Sequence, residues 1–106
     1  MAVISIANAL TTGASAAYEF DGGLSQPGAY SPTVHTVCVY GTFGGATLQH
    51  QISPDGGTTW IAIDATNAQA TAAKAYNIEA RQDATYRVSI ISGATTGTSI
   101  NAKAFI

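Results

Sequence analysis

The sequence predicts an all-β protein: an antiparallel β-sandwich of roughly eight short strands, for which a jelly-roll-like connection is one option. Three observations predict it. Apolar residues recur with a period of two in most segments, which is the strand period. Gly, Pro and Asp punctuate the chain about every eight to twelve residues. The one alanine-rich stretch, 64–73, favours helix by propensity but shows no apolar stripe, so it reads as a loop or a single turn. The 106 residues form one domain, 1–106. Such a chain buries about two-thirds of its unfolded surface, enough for one core without covalent staples.

The elements follow in order. Residues 2–9 alternate, with Val3, Ser5 and Ala7 against Ile4, Ile6 and Asn8. This segment reads as a first strand; it lacks the basic start and longer apolar core of a signal peptide. T-T-G at 11–13 makes a turn. Residues 14–20 follow as a strand with Ala16, Tyr18 and Phe20 on one face, and Asp21-Gly22-Gly23 breaks it. Residues 24–33 hold Pro27, Gly28 and Pro32 and form a loop whose backbone is uncommitted to a sheet. Residues 33–40 are rich in β formers and nearly continuously apolar, as expected of a central strand. Residues 41–45 turn the chain, with Phe43 placed to cap one end of the core.

Next comes the strongest local signal, a hairpin. In 46–52, Ala46, Leu48, His50 and Ile52 point one way and Thr47, Gln49 and Gln51 the other. The turn is S-P-D-G-G-T: Pro54 presets a turn dihedral, Asp55 can accept backbone N–H bonds ahead of it, and Gly56 and Gly57 tolerate positive φ. Residues 59–63 make the return strand and carry the chain's one Trp. Beyond the 64–73 loop, Tyr76 and Ile78 share a face in 74–80, and Arg81-Gln82-Asp83 forms a polar turn. Residues 85–92 place Tyr86, Val88 and Ile90 on one face, 93–97 turn back, and 99–106 align Ile100, Ala102, Ala104 and Ile106.

Composition narrows the function. Charged residues are 9% of the chain, against ~25% in ordinary domains, and the net charge is −2. The four cations, Lys74, Arg81, Arg87 and Lys103, are scattered. Nucleic-acid binding through released counterions needs a basic cluster, so no nucleic-acid partner is expected. No run of about eighteen apolar residues is present, so no membrane-spanning helix is expected. A free monomer normally carries a more charged surface, and the low charge suits a chain whose exterior is covered by copies or partners. Cys38 is the single cysteine and excludes an internal disulfide; in V-C-V it reads as a small buried apolar residue.

Candidate chemistry is thin. His35 and Cys38, spaced H-x-x-C, fall on opposite faces of a strand, and His50 lies in another, so no metal site or cofactor is expected. His50, on the face of Leu48 and Ile52, reads as a half-buried or interface residue. His50, Ser53 and Asp55 are close in sequence but lack a nucleophile elbow or oxyanion hole. The acids Asp21, Asp55, Asp64 and Asp83 sit in or beside turns; with Glu19 and Glu79 they supply no marked catalytic pair. The chain is therefore expected not to be an enzyme. A carbohydrate-binding module is the rival reading, with Tyr30, Tyr40, Phe43, Trp60 and Tyr76 as candidate contacts.

Ser53, Asp55, Gly57, Thr59 and Trp60 match the S-x-D-x-G-x-T-W pattern of the Asp box, found in sialidases and other β-propellers and in unrelated β folds. The resemblance covers eight positions and implies a structural turn, with Asp tying it and Trp packed beneath. One copy in 106 residues excludes a propeller. More widely, G-T-F-G-G-A-T, S-P-D-G-G-T-T-W and Y-R-V-S-I-I-S-G-A-T-T-G-T-S-I together resemble small β-rich virion proteins of tailed bacteriophages. That resemblance implies a structural role: a capsid decoration or cement protein stabilising the head shell, or a head- or tail-fibre component. It implies the major capsid protein as partner, self-association with a trimer as one state, synthesis in the host cytoplasm and a final place on the capsid surface. The expected contact residues are Leu24, Pro27, Tyr30 and Pro32 in the loop and Phe105 and Ile106 at the end.

Overall fold

A computed structural model describes residues 3–18, 33–64, 67–80 and 84–105. Eight strands run in order: β1 (Val3–Leu10), β2 (Thr33–Thr42), β3 (Thr47–Ser53), β4 (Ile61–Ala62), β5 (Gln69–Ala70), β6 (Lys74–Ala80), β7 (Thr85–Ser92) and β8 (Ser99–Phe105). One sheet has the order β1-β8-β2-β6. In the second, β3 pairs along its length with β7, while the short β4 and β5 pair with β3 at Gln51–Ile52 and Leu48–Gln49. All these pairings are antiparallel, so the protein is an all-β sandwich.

The pairing is nested. The first strand, β1, pairs with the last, β8. The segment after β1 bridges β7 at Ala14↔Ser89 and Tyr18↔Tyr86. Then β2 pairs with β6, and β3 with β4 and β5. Contacts of β2 with β8 and of β3 with β7 fuse these pairs into two sheets. This is the order of a jelly roll.

Period-two patterning fills the space between the sheets. Val37 and Val39 of β2, Tyr76 and Ile78 of β6, and Ile100, Ala102 and Ala104 of β8 face Leu48 of β3 and Tyr86, Val88 and Ile90 of β7 in one buried cluster. The small alanines of β8 let the larger rings opposite approach, as close packing requires. β2 lies between β8 and β6, the interior position its apolar run predicts. Phe43 is buried at one end. There two turns lock together: Thr98 Oγ1 donates to the Phe43 carbonyl at 3.0 Å and accepts from the Thr95 N–H at 2.9 Å, and Thr95 Oγ1 donates to the Gly44 carbonyl at 3.1 Å.

Several expectations are corrected. In β1, register shifts after Ser5 and Ala7 bury the adjacent Ile6 and Ala7, so the simple alternation fails; Ala9 has φ 54°, and its N–H is taken up by Asn101 Oδ1 at 2.9 Å. Of the strand expected over 14–20, the described part makes only the two bridges. The return strand of the hairpin shrinks to β4. The 64–73 stretch contains β5: Asp64 Oδ1 and Oδ2 accept from the backbone and side chain of Asn67, and Gln69–Ala70 continues in the direction of β4 along the same edge of β3. Local propensity cannot show this, because the edge that captures Gln69 lies some twenty residues upstream. Cys38 is half-buried rather than buried, since its neighbours Val37 and Val39 take the inner face. Phe20, the loop residues Leu24, Pro27, Tyr30 and Pro32, the turn 81–83 and Ile106 lie outside the described residues.

Candidate functional site

Two polar clusters flank β3, one on each of its faces. On the inner face stands His50, with no exposed surface (0%), which corrects the half-buried or interface position expected for it. Its backbone is tied on the open edge, with N–H to the Ala68 carbonyl at 2.9 Å and its carbonyl to the Ile63 N–H at 3.0 Å. Its ring nitrogens meet two phenols: Nε2 is 2.5 Å from Tyr18 Oη and Nδ1 is 2.6 Å from Tyr76 Oη. Tyr76 comes from the opposite sheet. Tyr18 is delivered by the bridged segment, whose N–H and C=O both pair with Tyr86 at 2.8 Å. The ring of Tyr76 stands edge-on to the imidazole at 90°, and those of Tyr86 and Tyr18 at 82° and 64°.

Electrostatics keep this cluster neutral. Burial lowers the His50 pKa from 6.5 to about 3. Burial, then the neighbouring Tyr76 and Tyr86, raises Tyr18 well above the ordinary phenol range. Burial, then Cys38, raises Tyr76. A neutral imidazole has one N–H and one lone pair, so one tyrosine donates to the ring and the other accepts from it. A ring sealed from solvent has no route to a substrate proton. The arrangement ties the two sheets and the 14–18 segment together.

The hairpin end of β3 is built by side chains acting on backbone. Ser53 Oγ donates to Asp55 Oδ1 at 2.9 Å and accepts from the Gly57 N–H at 2.8 Å. Asp55 Oδ1 also accepts from the Thr58 and Thr59 N–H groups at 3.1 and 2.7 Å. Hydrogen bonds from Thr59 above all, then from Ser53 and Thr58, hold the Asp55 pKa at about 2. The Trp60 ring packs against the turn, 3.9 Å from where a Cβ on Gly57 would lie. It is half-buried, outside the core cluster, with Nε1–H donating to the Gly57 carbonyl at 3.1 Å. Arg87 lies over its ring.

The outer face carries the second cluster. The Arg87 guanidinium carbon lies 4.3 Å from the Trp60 ring centroid, and Arg87 Nε donates to Gln51 Oε1 at 2.7 Å. Gln51 Nε2 donates to Gln49 Oε1 at 2.9 Å, and Gln49 Nε2 to Gln69 Oε1 at 3.2 Å. The Lys74 ammonium donates to the Gln69 carbonyl at 3.0 Å. Sequence reading places Gln49 and Gln51 on one face but does not single them out. The partners that make a row of them, Arg87 and Gln69, arrive by cross-strand register, Arg87 opposite Gln51 and Gln69 opposite Gln49.

Other candidates separate. His35 and Cys38 do fall on opposite faces, and the His35 Nδ1–H donates to the Phe105 carbonyl at 3.1 Å. Among the described residues no group of three His, Cys, Asp or Glu converges as a metal site. Of the aromatic candidates for sugar contact, Phe43 and Tyr76 are buried, Tyr40 is exposed and Trp60 half-buried. Phe105, the described member of the expected contact set, is exposed. No helix among the described residues is long and apolar enough to cross a membrane. No family model, curated protein or solved structure matches the chain.

Proposed function

We propose that this protein is a non-enzymatic structural component of a bacteriophage virion, a decoration or cement protein that seats on the outer head shell. The observation that carries the reading is the outer face of the β1-β8-β2-β6 sheet. Register brings Val3 beside Phe105, Phe105 beside Thr36, Cys38 beside Lys103 and Tyr40 beside Asn101 on one surface. Val3, Tyr40 and Phe105 are 51%, 39% and 40% exposed, and Lys103 is the one charge among the described side chains there. Large apolar side chains in the open, with one charge among the described side chains of that face, support reading it as a contact surface. The resemblance of 41–60 and 86–100 to phage virion proteins supports the major capsid protein as the occupant, with further copies of this chain alongside, a trimer being one state. A jelly roll alone would not choose this role.

The test is reconstruction of the particle together with in vitro addition of purified chain to undecorated heads. The expected result is density in tens to hundreds of outer-shell copies, with Tyr40→Glu and Phe105→Glu remaining folded but failing to add. Density only at the tail or portal vertex would replace this reading with a fibre component. Unimpaired addition of both variants would remove this face from the interface.

A further inference from the structure

We propose that the opposite surface, the outer face of the β3-β7 sheet, is a binding site for a carboxylate-bearing glycan, with Arg87 as its anchor. This stands independently of the virion reading, because it uses the other side of the sandwich.

The argument begins with Arg87. It is one of four cations in a chain of net charge −2, and among the described residues the groups that hold it are neutral. Gln51 takes its Nε–H and the Trp60 ring takes its flat face. No carboxylate among the described residues pairs with it. Here the Nε–H and one face are spent on positioning, and among the described residues nothing takes up the terminal pair of nitrogens, which can meet a ligand. A guanidinium fork is suited to a carboxylate, which it binds through two parallel hydrogen bonds.

Next to the fork, the amides of Gln51, Gln49 and Gln69 run in a line, each oriented by its neighbour. Gln51 is buried and positions Arg87 and Gln49, while the half-buried Gln49 spends one N–H and one lone pair on the line and leaves one of each. Adjacent donor and acceptor atoms match the hydroxyl groups of a sugar, each of which is both. The line is already ordered before a ligand arrives, so little side-chain entropy is lost on binding. An extended, flat, hydroxyl-rich chain bearing carboxylates fits these features; an acidic peptide would use the fork but not the line of amides.

The experiment is retention of the purified full chain on immobilised polygalacturonate and sialyllactose, with dextran and a sulfated glycan as comparators. The expected result is retention on the carboxylated glycans alone. Because the chain is itself net negative, general attraction to a polyanion does not explain such retention. Arg87→Gln should weaken binding by at least about tenfold, and Arg87→Lys should recover only part of it. Gln69→Glu, which adds a negative charge at the end of the line and leaves Arg87 in place, should weaken it as well, and serves if Arg87→Gln does not fold. Retention on neither carboxylated glycan, equal retention on dextran or the sulfated glycan, or wild-type binding by a folded Arg87→Gln or Gln69→Glu variant would overturn the proposal. Competition by poly-glutamate as effective as by the glycan would overturn the ligand class.

Discussion

The Tyr76 hydroxyl, carried on the β6 strand of one sheet, lies 2.6 Å from Nδ1 of His50 on the β3 strand of the other. This is a polar tie through the middle of an otherwise apolar core. Burying a polar group is tolerable only when its hydrogen bonds are made, so the value of the tie shows when one partner is removed. Tyr76→Phe should destabilise the fold by about 1–3 kcal/mol, read by urea unfolding. Tyr18→Phe should cost a similar amount from the Nε2 side, and the double variant should deviate from additivity, since both phenols share one ring.

The same histidine sets an acid limb in the stability curve. Its folded pKa of about 3 lies below its ordinary 6.5. Above 6.5 neither state binds the proton. As pH falls from 6.5 towards 3 the unfolded chain takes up a proton that the folded chain refuses, so stability drops at up to ~1.4 kcal/mol per pH unit. Titrating unfolding free energy for wild type and His50→Gln should show this slope in the first and its loss in the second. A variant that keeps the full slope would show that His50 is not its source.

Asp55 acts later and locally. Its pKa is depressed from 3.8 to about 2, so the stability it contributes is present above 3.8 and disappears as pH falls towards 2. Because the side chain is fully exposed, the effect belongs to the hairpin rather than to global unfolding. Asp55→Ala should speed amide exchange at Thr58 and Thr59, whose N–H groups it accepts, while β7 and β8 keep their protection.

Two glycines separate backbone strain from steric conflict. Gly13 has φ 70° with open space where a Cβ would be, so Gly13→Ala should cost only the left-handed penalty, about 1–2 kcal/mol. Gly93 has φ 79°, and a Cβ there would lie 2.1 Å from the Gly45 carbonyl oxygen. Gly93→Ala must in addition push apart the two turns at that end of the sandwich. Its loss in thermal midpoint should clearly exceed that of Gly13→Ala.

By itself the sequence determined the fold class, the main strands and most of the core. Val37 and Val39, Tyr86, Val88 and Ile90, and Ile100, Ala102 and Ala104 lie on the faces their alternation assigns, because a two-residue period is a local property of the backbone. The S-P-D-G-G-T turn was legible for the same reason: Ser53 and Asp55 reach donors within four residues. Only the tertiary structure decided what depends on pairing between distant segments. His50 looked half-exposed because neither Tyr18, 32 residues before it, nor Tyr76, 26 after it, leaves a mark near it in the chain. Gln69 became a strand residue, and Arg87 and the glutamines one row, through cross-strand register, which no local pattern carries. That Trp60 also carries Arg87 over its ring is likewise a tertiary fact, since the two lie 27 residues apart in the chain.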